Sequence, residues 1–399
     1  MKYLDNFFNI SSEKAYDLIF SKVKIGILEV TFPSGRKRKF IGSNDEIYAD
    51  ITLNNYSLLP KLLKKGSIAL ADSYIENDFS TSNLSRLLLF AKYNEKSYNI
   101  LIKGKSIYNF FRKIQHHFNE NTKRKSKKNI KYHYDLGNDF YQKWLDDTMT
   151  YSSAIFDNKQ KNLMNAQINK YKKIINSSKI NENTTLLEIG CGWGGFSTFV
   201  AKNIGAKVNA ITISKKQYEY FSNEIQKEGL GEKINLELKD YRDINNSYDQ
   251  ITSIEMFEAV GKKYWPIFFE KITKSLNNNG SAAIQVITID EKRALNYQNN
   301  PDFIQKYIFP GGILPSKNQL FDLCKASNLK INELSSFGES YAKTLKIWNK
   351  DFQKSWEEIS RMGFTNKFKR MWEYYFCYCE TGFITHSTDV SQLILKKNI

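Results

Sequence analysis

The feature that most constrains this chain is an alternation of short apolar segments with amphipathic helical ones. Strand candidates at Thr184–Ile189, Lys207–Ile213, Ile234–Leu238, Gln250–Ile254 and Ser281–Ile289 are interleaved with helices starting near Gly194, Ser214 and Lys262. Strands that are apolar almost throughout, joined by helical crossovers, predict a doubly wound parallel sheet of the α/β class. From Asp290 to Ser316 the alternation lapses. Helical stretches near Tyr341–Met362 and Asn366–Cys379 then precede a last strand, Ser391–Leu395, and these insertions are placed to cover a ligand.

A smaller α+β unit comes first. It reads as a helix, a strand Lys24–Phe32, a turn at Pro33-Ser34-Gly35 and a basic strand Arg36–Ile41. Ile47, Ala49, Ile51 and Leu53 then alternate as on a third strand, and helical periodicity follows at Leu58–Leu63, Ile68–Ile75 and Leu84–Tyr93. Residues 119–131 carry the run Lys123–Lys128 and read as an exposed basic linker. The expected division is 1–118, a linker at 119–131, and 132–399.

Composition removes several classes of protein. With 41% hydrophobic residues, 27 Phe and 24 Tyr in 399 residues, the chain is not disordered. No apolar run approaches the roughly 18 residues that cross a bilayer, and Leu87–Ala91 is typical of the longest. Met1–Asp17 lacks the basic start and apolar stretch of a signal peptide. Cys191, Cys324, Cys377 and Cys379 lack zinc or redox spacing, so a reducing cytoplasm and no metal are expected. The net charge of +17 favours either nucleic acid or an anionic membrane surface. His116 and His117 read as surface residues and His133 as a cap or packing residue.

Glu188-Ile189-Gly190-Cys191-Gly192-Trp193-Gly194-Gly195 puts a glycine-rich turn between a strand and a helix, where a nucleotide-like ligand can approach the backbone. A dinucleotide site wants an acidic residue ending the second strand, but that strand ends Ala210-Ile211-Thr212-Ile213-Ser214. NAD is therefore disfavoured. Glu188 ending the first strand and Asp240-Tyr241-Arg242 after the third resemble class I methyltransferases that use S-adenosylmethionine. In that resemblance Gly190, Cys191, Gly192, Trp193 and Gly194 meet the methionine part, Thr212, Ser214 and Gln217 lie near the ribose, and Tyr241 and Arg242 flank the adenine.

Further blocks are more specific: His133–Tyr141, Met149-Thr150-Tyr151-Ser152-Ser153-Ala154, Met256-Phe257-Glu258-Ala259-Val260-Gly261, Lys306–Ser316, and Tyr374-Tyr375 with Cys379 and Gly382-Phe383. In this order they resemble the cyclopropane-fatty-acyl-phospholipid synthase family. The resemblance implies a Rossmann-like methyltransferase domain with an N-terminal lipid-associated domain. It also implies transfer of a methyl(ene) group from S-adenosylmethionine to the cis double bond of a phospholipid acyl chain. Tyr151 and Ser152 join the cofactor set.

Family members hold bicarbonate as a base with a Cys, a Glu, a His and a Tyr, and carry an active-site Cys near the C-terminus. Carried over, Glu258, Tyr341 and Cys379 match. Ser153 stands where the synthases have Cys, and Gln285 is the counterpart of the His. Neither supplies the charge or acid–base capacity of the original pair. Glu258, at the end of the fourth strand, is the expected functional carboxylate.

The expected partners are an unsaturated phospholipid and an anionic membrane surface, without nucleic acid, and the expected assembly is a homodimer. The protein is expected to be peripheral on the inner face of the membrane. Cyclopropane, methyl-branched and methylene-branched products share the methyl-transfer step; a soluble small-molecule substrate is one alternative, and a non-catalytic lipid-binding protein is another, disfavoured because Glu188, the glycines and Glu258 are all present.

Overall fold

The computed structural model describes residues 12–44, 47–102, 136–157, 159 and 162–398. The basic linker and His116, His117 and His133 lie outside them. The chain divides into two units, Met1–Gln115 with Ser360–Thr385, and His116–Ile359 with His386–Ile399.

The first unit holds a sheet in the order β2-β1-β3-β4, from β1 (Ile27–Thr31), β2 (Lys37–Ile41), β3 (Tyr48–Leu53) and β4 (Phe79–Ser80). The expected hairpin is present as the antiparallel β1/β2 pair, and β3 lies parallel to β1. Leu28 and Val30 on β1 face the core with Ala49, Ile51 and Leu53 on β3, the period-2 pattern of a half-buried sheet.

The unit departs from the expected boundary at residues 360–385, which the sequence order had placed in the second domain. The helix Asn366–Ile384 buries Trp372, Tyr374, Tyr375 and Phe376. Tyr374 meets Tyr74 at 6.0 Å, Arg370 donates to the carbonyls of Tyr74 and Phe79, and Ser85 Oγ donates to Glu380. Apolar periodicity shows that a helix has a buried face, but not which distant segment covers it.

The second unit is built on a seven-stranded sheet in the order β10-β11-β9-β8-β5-β6-β7. Its strands are β5 (Thr185–Ile189), β6 (Lys207–Thr212), β7 (Ile234–Leu238), β8 (Tyr248–Ile254), β9 (Leu276–Ile289), β10 (Leu329–Ser336) and β11 (Thr388–Lys397). The five from β5 to β9 run parallel, while β11 is antiparallel to both β9 and β10. This is the class I methyltransferase arrangement.

Successive residues of β5 serve opposite faces. Leu186 packs with Val208, Phe196 and Phe221, and Leu187 with Ile251, Phe268 and Ile284. Both faces are thus dry, as the continuous apolar strands predict. Sequence reading misses β10 because it is an edge strand with only Leu329 buried, and its pairing slips between Ile331 and Glu333.

The glycine turn fixes how closely the first crossover helix packs. Gly194 has φ +91°, and a Cβ there would sit 2.1 Å from the ring of Phe221, which is fully buried. Gly194→Ala forces the left-handed conformation on an L side chain and pushes that ring aside. Urea unfolding should show a loss of about 2 kcal/mol or more; an unchanged midpoint would mean that the Phe221 ring does not pack on this turn.

Candidate active site

Strand order reverses around β5, so a crevice opens at the carboxyl ends of β5, β6 and β8, where open α/β sheets take ligands. That crevice is lined by Tyr151, Ser152, Glu188, Gly190, Cys191, Gly192, Trp193, Thr212, Gln217, Tyr241 and Arg242, together with Asp240 and Glu255. The fold therefore gathers most of the expected cofactor residues.

Two expected members do not line it. Gly194 is spent on the Phe221 contact, and Ser214 caps the helix Lys215–Lys227, its Oγ accepting from Gln217 N at 3.4 Å. A serine after a strand reads equally well as ribose donor or helix cap, and here the helix end claims the hydroxyl.

The floor of the crevice is held by backbone. Gly190 N and Cys191 N both donate to Ile211 O, at 2.9 and 3.0 Å, tying the turn to β6. Gly192 has φ +56° and no protein atom within 4 Å of where its Cβ would be, so its bare backbone faces open space. Thr212 Oγ1 donates to Gln217 Oε1 at 3.0 Å, fixing that amide at the rim. Asp240 grips Arg242 through Nε and Nη2 at 2.8 and 2.7 Å, which holds the guanidinium between Tyr241 and Tyr264. Glu188 accepts from Ser197 Oγ, and burial pushes its carboxyl up to about 7.

Aromatic rings wall one side. Tyr151 lies 5.5 Å from Tyr141, 5.5 Å from Trp144 and 5.3 Å from Trp348, and Trp193 lies 4.8 Å from Tyr141. Their π faces and the nearby carboxylates favour a cation such as a sulfonium.

A buried carboxylate that the sequence reading missed lines the same crevice. Glu255, the first residue after β8, has φ +49°, an unusual conformation for a side chain other than glycine. Its Oε1 accepts from Ser153 N at 2.8 Å and Gln285 Nε2 at 2.7 Å, and its Oε2 accepts from Tyr341 OH at 2.6 Å. Gln392 Nε2 donates to Gln285 Oε1 at 3.0 Å, which leaves the Gln285 amide aimed at Glu255. Ser153 takes part through its backbone, since its hydroxyl donates to Ala154 O.

Burial raises the Glu255 pKa, and the bonds from Tyr341 and Gln285 pull it back toward the ionised form. The position at a strand end on the switch point was a legible signal, but Glu258 three residues on absorbed it.

Glu258 is nearby in role but different in state. Its Oε1 accepts from Ile287 N, its carbonyl accepts from Ile313 N, and its Oε2 is buried without a partner among the described residues. Burial first, and then the charge of Glu255, push its pKa up to about 8. Burial thus raises both carboxyls, while the three donors on Glu255 favour its charged form more than the one backbone donor on Glu258 does.

Lys170, also missed, is fully buried with Nζ on Ser152 Oγ at 2.7 Å. Burial lowers its pKa to about 8 against the pull of Glu255, Asp146 and Glu188. Cys379 lies on the Asn366–Ile384 helix of the first unit and is not among the donors to Glu255.

Bicarbonate does not fit the four positions carried over for it. The donors that would hold it, at Ser153, Gln285 and Tyr341, already converge on the carboxylate of Glu255.

The family model described as mycolic acid cyclopropane synthetase matches residues 121–393. The chain belongs to this family. It is 33% identical over 349 residues to tuberculostearic acid methyltransferase UfaA1 of Mycobacterium tuberculosis, covering 85% of this chain and 81% of that one. It is 31% identical over 374 residues to cyclopropane-fatty-acyl-phospholipid synthase of Escherichia coli K12, covering 91% of each. Among solved structures, mycolic acid cyclopropane synthase CmaA1 complexed with SAH and CTAB superposes with a TM-score of 0.64 at 27% identity, covering 68% of this chain and 98% of that one. The chain is an S-adenosylmethionine-dependent methyltransferase that modifies lipid acyl chains.

Two predictions follow from this geometry. Gly192→Ala places a methyl group in the open space of the crevice without meeting protein, so calorimetry should show S-adenosylmethionine affinity falling by about tenfold or more; unchanged affinity would remove the glycine turn from the cofactor site.

The buried carboxyls also set a pH dependence. Glu258 and Glu188 hold protons in the folded state that the unfolded chain gives up near 4.5. Their contribution to stability is complete below 4.5 and is lost as pH rises to about 8. Thermal midpoints should fall across that window, and Glu258→Gln should flatten the fall.

Proposed function

We propose that this enzyme transfers a methyl group from S-adenosylmethionine to the cis double bond of an unsaturated acyl chain in a membrane phospholipid, forming a cyclopropane ring. The observation that carries this reading is the buried carboxylate of Glu255, set beside the glycine turn in an aromatic-walled crevice. An alkene is a weak nucleophile, so the methyl must be held in line with it, and the carbocation that develops needs anionic and aromatic neighbours out of water.

In this reading Tyr341, Gln285 and Ser153 fix the carboxylate, and Glu258 stays neutral beside it. The likeness to cyclopropane-fatty-acyl-phospholipid synthase over 91% of the chain supports the phospholipid substrate. The +17 charge supports docking on an anionic bilayer, and no helix among the described residues is long and apolar enough to cross one.

A second product is favoured by Ser153 and Gln285, where the synthases carry Cys and His, and by the likeness to tuberculostearic acid methyltransferase. A methylene branch would arise from the same cation after a hydride moves from the methylated carbon to its cationic neighbour and the added methyl then loses a proton.

Purified protein with S-adenosylmethionine and anionic vesicles of unsaturated phospholipid should yield acyl chains heavier by one CH2. The rate should fall as salt screens the surface. Proton NMR of the released chains separates a ring methylene from an exocyclic one. Failure to modify any unsaturated phospholipid, with turnover on a soluble acceptor instead, would overturn the reading.

A further inference from the structure

Glu255 sits where the carried-over residues would otherwise hold a free anion. Three donors from three separate segments meet on its two oxygens: Ser153 N before the first crossover, Gln285 Nε2 on β9 and Tyr341 OH on the helix Gly338–Lys354. Donors arranged in this way accommodate one carboxylate-shaped group, and a side chain already provides it. The backbone accepts φ +49° to bring it there, a conformation that is strained for a residue with a Cβ. Strain of that kind persists where the surroundings enforce it, and here the enforcing contacts are the three hydrogen bonds.

We propose that Glu255 is the resident proton acceptor of this enzyme and replaces an exogenous bicarbonate. The inference rests on the acyl-modifying reading above. The carbon–sulfur bond of the sulfonium breaks with its electron pair going to sulfur, and S-adenosylhomocysteine leaves. The alkene π pair forms the new carbon–carbon bond, leaving a carbocation on the neighbouring carbon.

The carboxylate of Glu255 then takes a proton. The released C–H pair closes the ring if the proton comes from the added methyl directly, or makes an exocyclic double bond if a hydride shift comes first. The charge of the sulfonium is thereby converted into one proton, which leaves Glu255 for solvent as product departs. No oxidant or reductant is required. Tyr341, Gln285 and Ser153 are positioning residues, since they act through Glu255.

The test pairs turnover with direct binding of bicarbonate. Wild-type turnover on unsaturated phospholipid should be unchanged in buffer stripped of carbon dioxide. Glu255→Gln should lose about 100-fold or more, the usual scale of a general base, with affinity for the uncharged-sulfur product S-adenosylhomocysteine within about twofold. Glu255→Gly relieves the strained backbone and frees the donors, so added bicarbonate or acetate should restore part of its turnover.

Carbon-13 NMR of labelled bicarbonate should show binding to Glu255→Gly loaded with S-adenosylhomocysteine and none to the wild type. Wild-type turnover that collapses without bicarbonate, full activity of Glu255→Gln, or saturable bicarbonate binding to the wild-type crevice would each overturn the proposal. The binding measurement needs no acyl substrate. A wild type inactive on phospholipid therefore sinks the substrate reading, while this experiment still judges Glu255.

Discussion

A carboxylate removed from bulk water costs several kcal/mol unless donors replace its hydration. Around Glu255 those donors come from a loop, a central strand and a helix far apart in the chain, and Gln392 on β11 orients one of them. The charge can be kept only when β9, β11 and the helix Gly338–Lys354 are all in place. Completing the antiparallel edge of the sheet and assembling the donors around Glu255 are therefore one event. A half-built version would leave either a bare charge or unpaired donors, and both are expensive.

The same centre explains the other buried ionisable groups. The fully buried Lys170 is pulled toward its charged form by Glu255, Asp146 and Glu188, against the burial that lowers its pKa. Glu258 keeps its proton first because it is buried and then because a second charge so close to Glu255 is repelled. Aromatic rings supply the remaining walls, and they hold a cation without offering a nucleophile that could capture the methyl group.

The two units are not consecutive pieces of chain. The first is completed by a helix that begins at Asn366, after most of the second unit has been laid down. Its bonds to Tyr74, Phe79 and Ser85 mean that the N-terminal stretch alone lacks part of its own core. A truncation after residue 118 would leave Tyr74 and its neighbours without the surface that buries them.

What the sequence determined by itself is the architecture and most of the residues that line the crevice. Continuous apolar strands, helical crossovers and a glycine turn at Gly190–Gly195 are local patterns, and local patterns are set by backbone geometry and burial period. What only the tertiary structure decided is which groups meet. Glu255 reads in sequence as one carboxylate beside another, and nothing local says that its neighbour Glu258 stays protonated while Glu255 draws three remote donors. Ser214 and Gly194 match a ligand pattern yet serve a helix cap and a ring contact, because the nearest demand takes the group first. The Asn366–Ile384 helix shows an apolar face but not its cover, and β10, with Leu329 its one buried residue, gives too weak a period to be read. Hydrogen-bond partners and pKa values depend on distances between segments remote in sequence, and those distances exist only once the chain is folded.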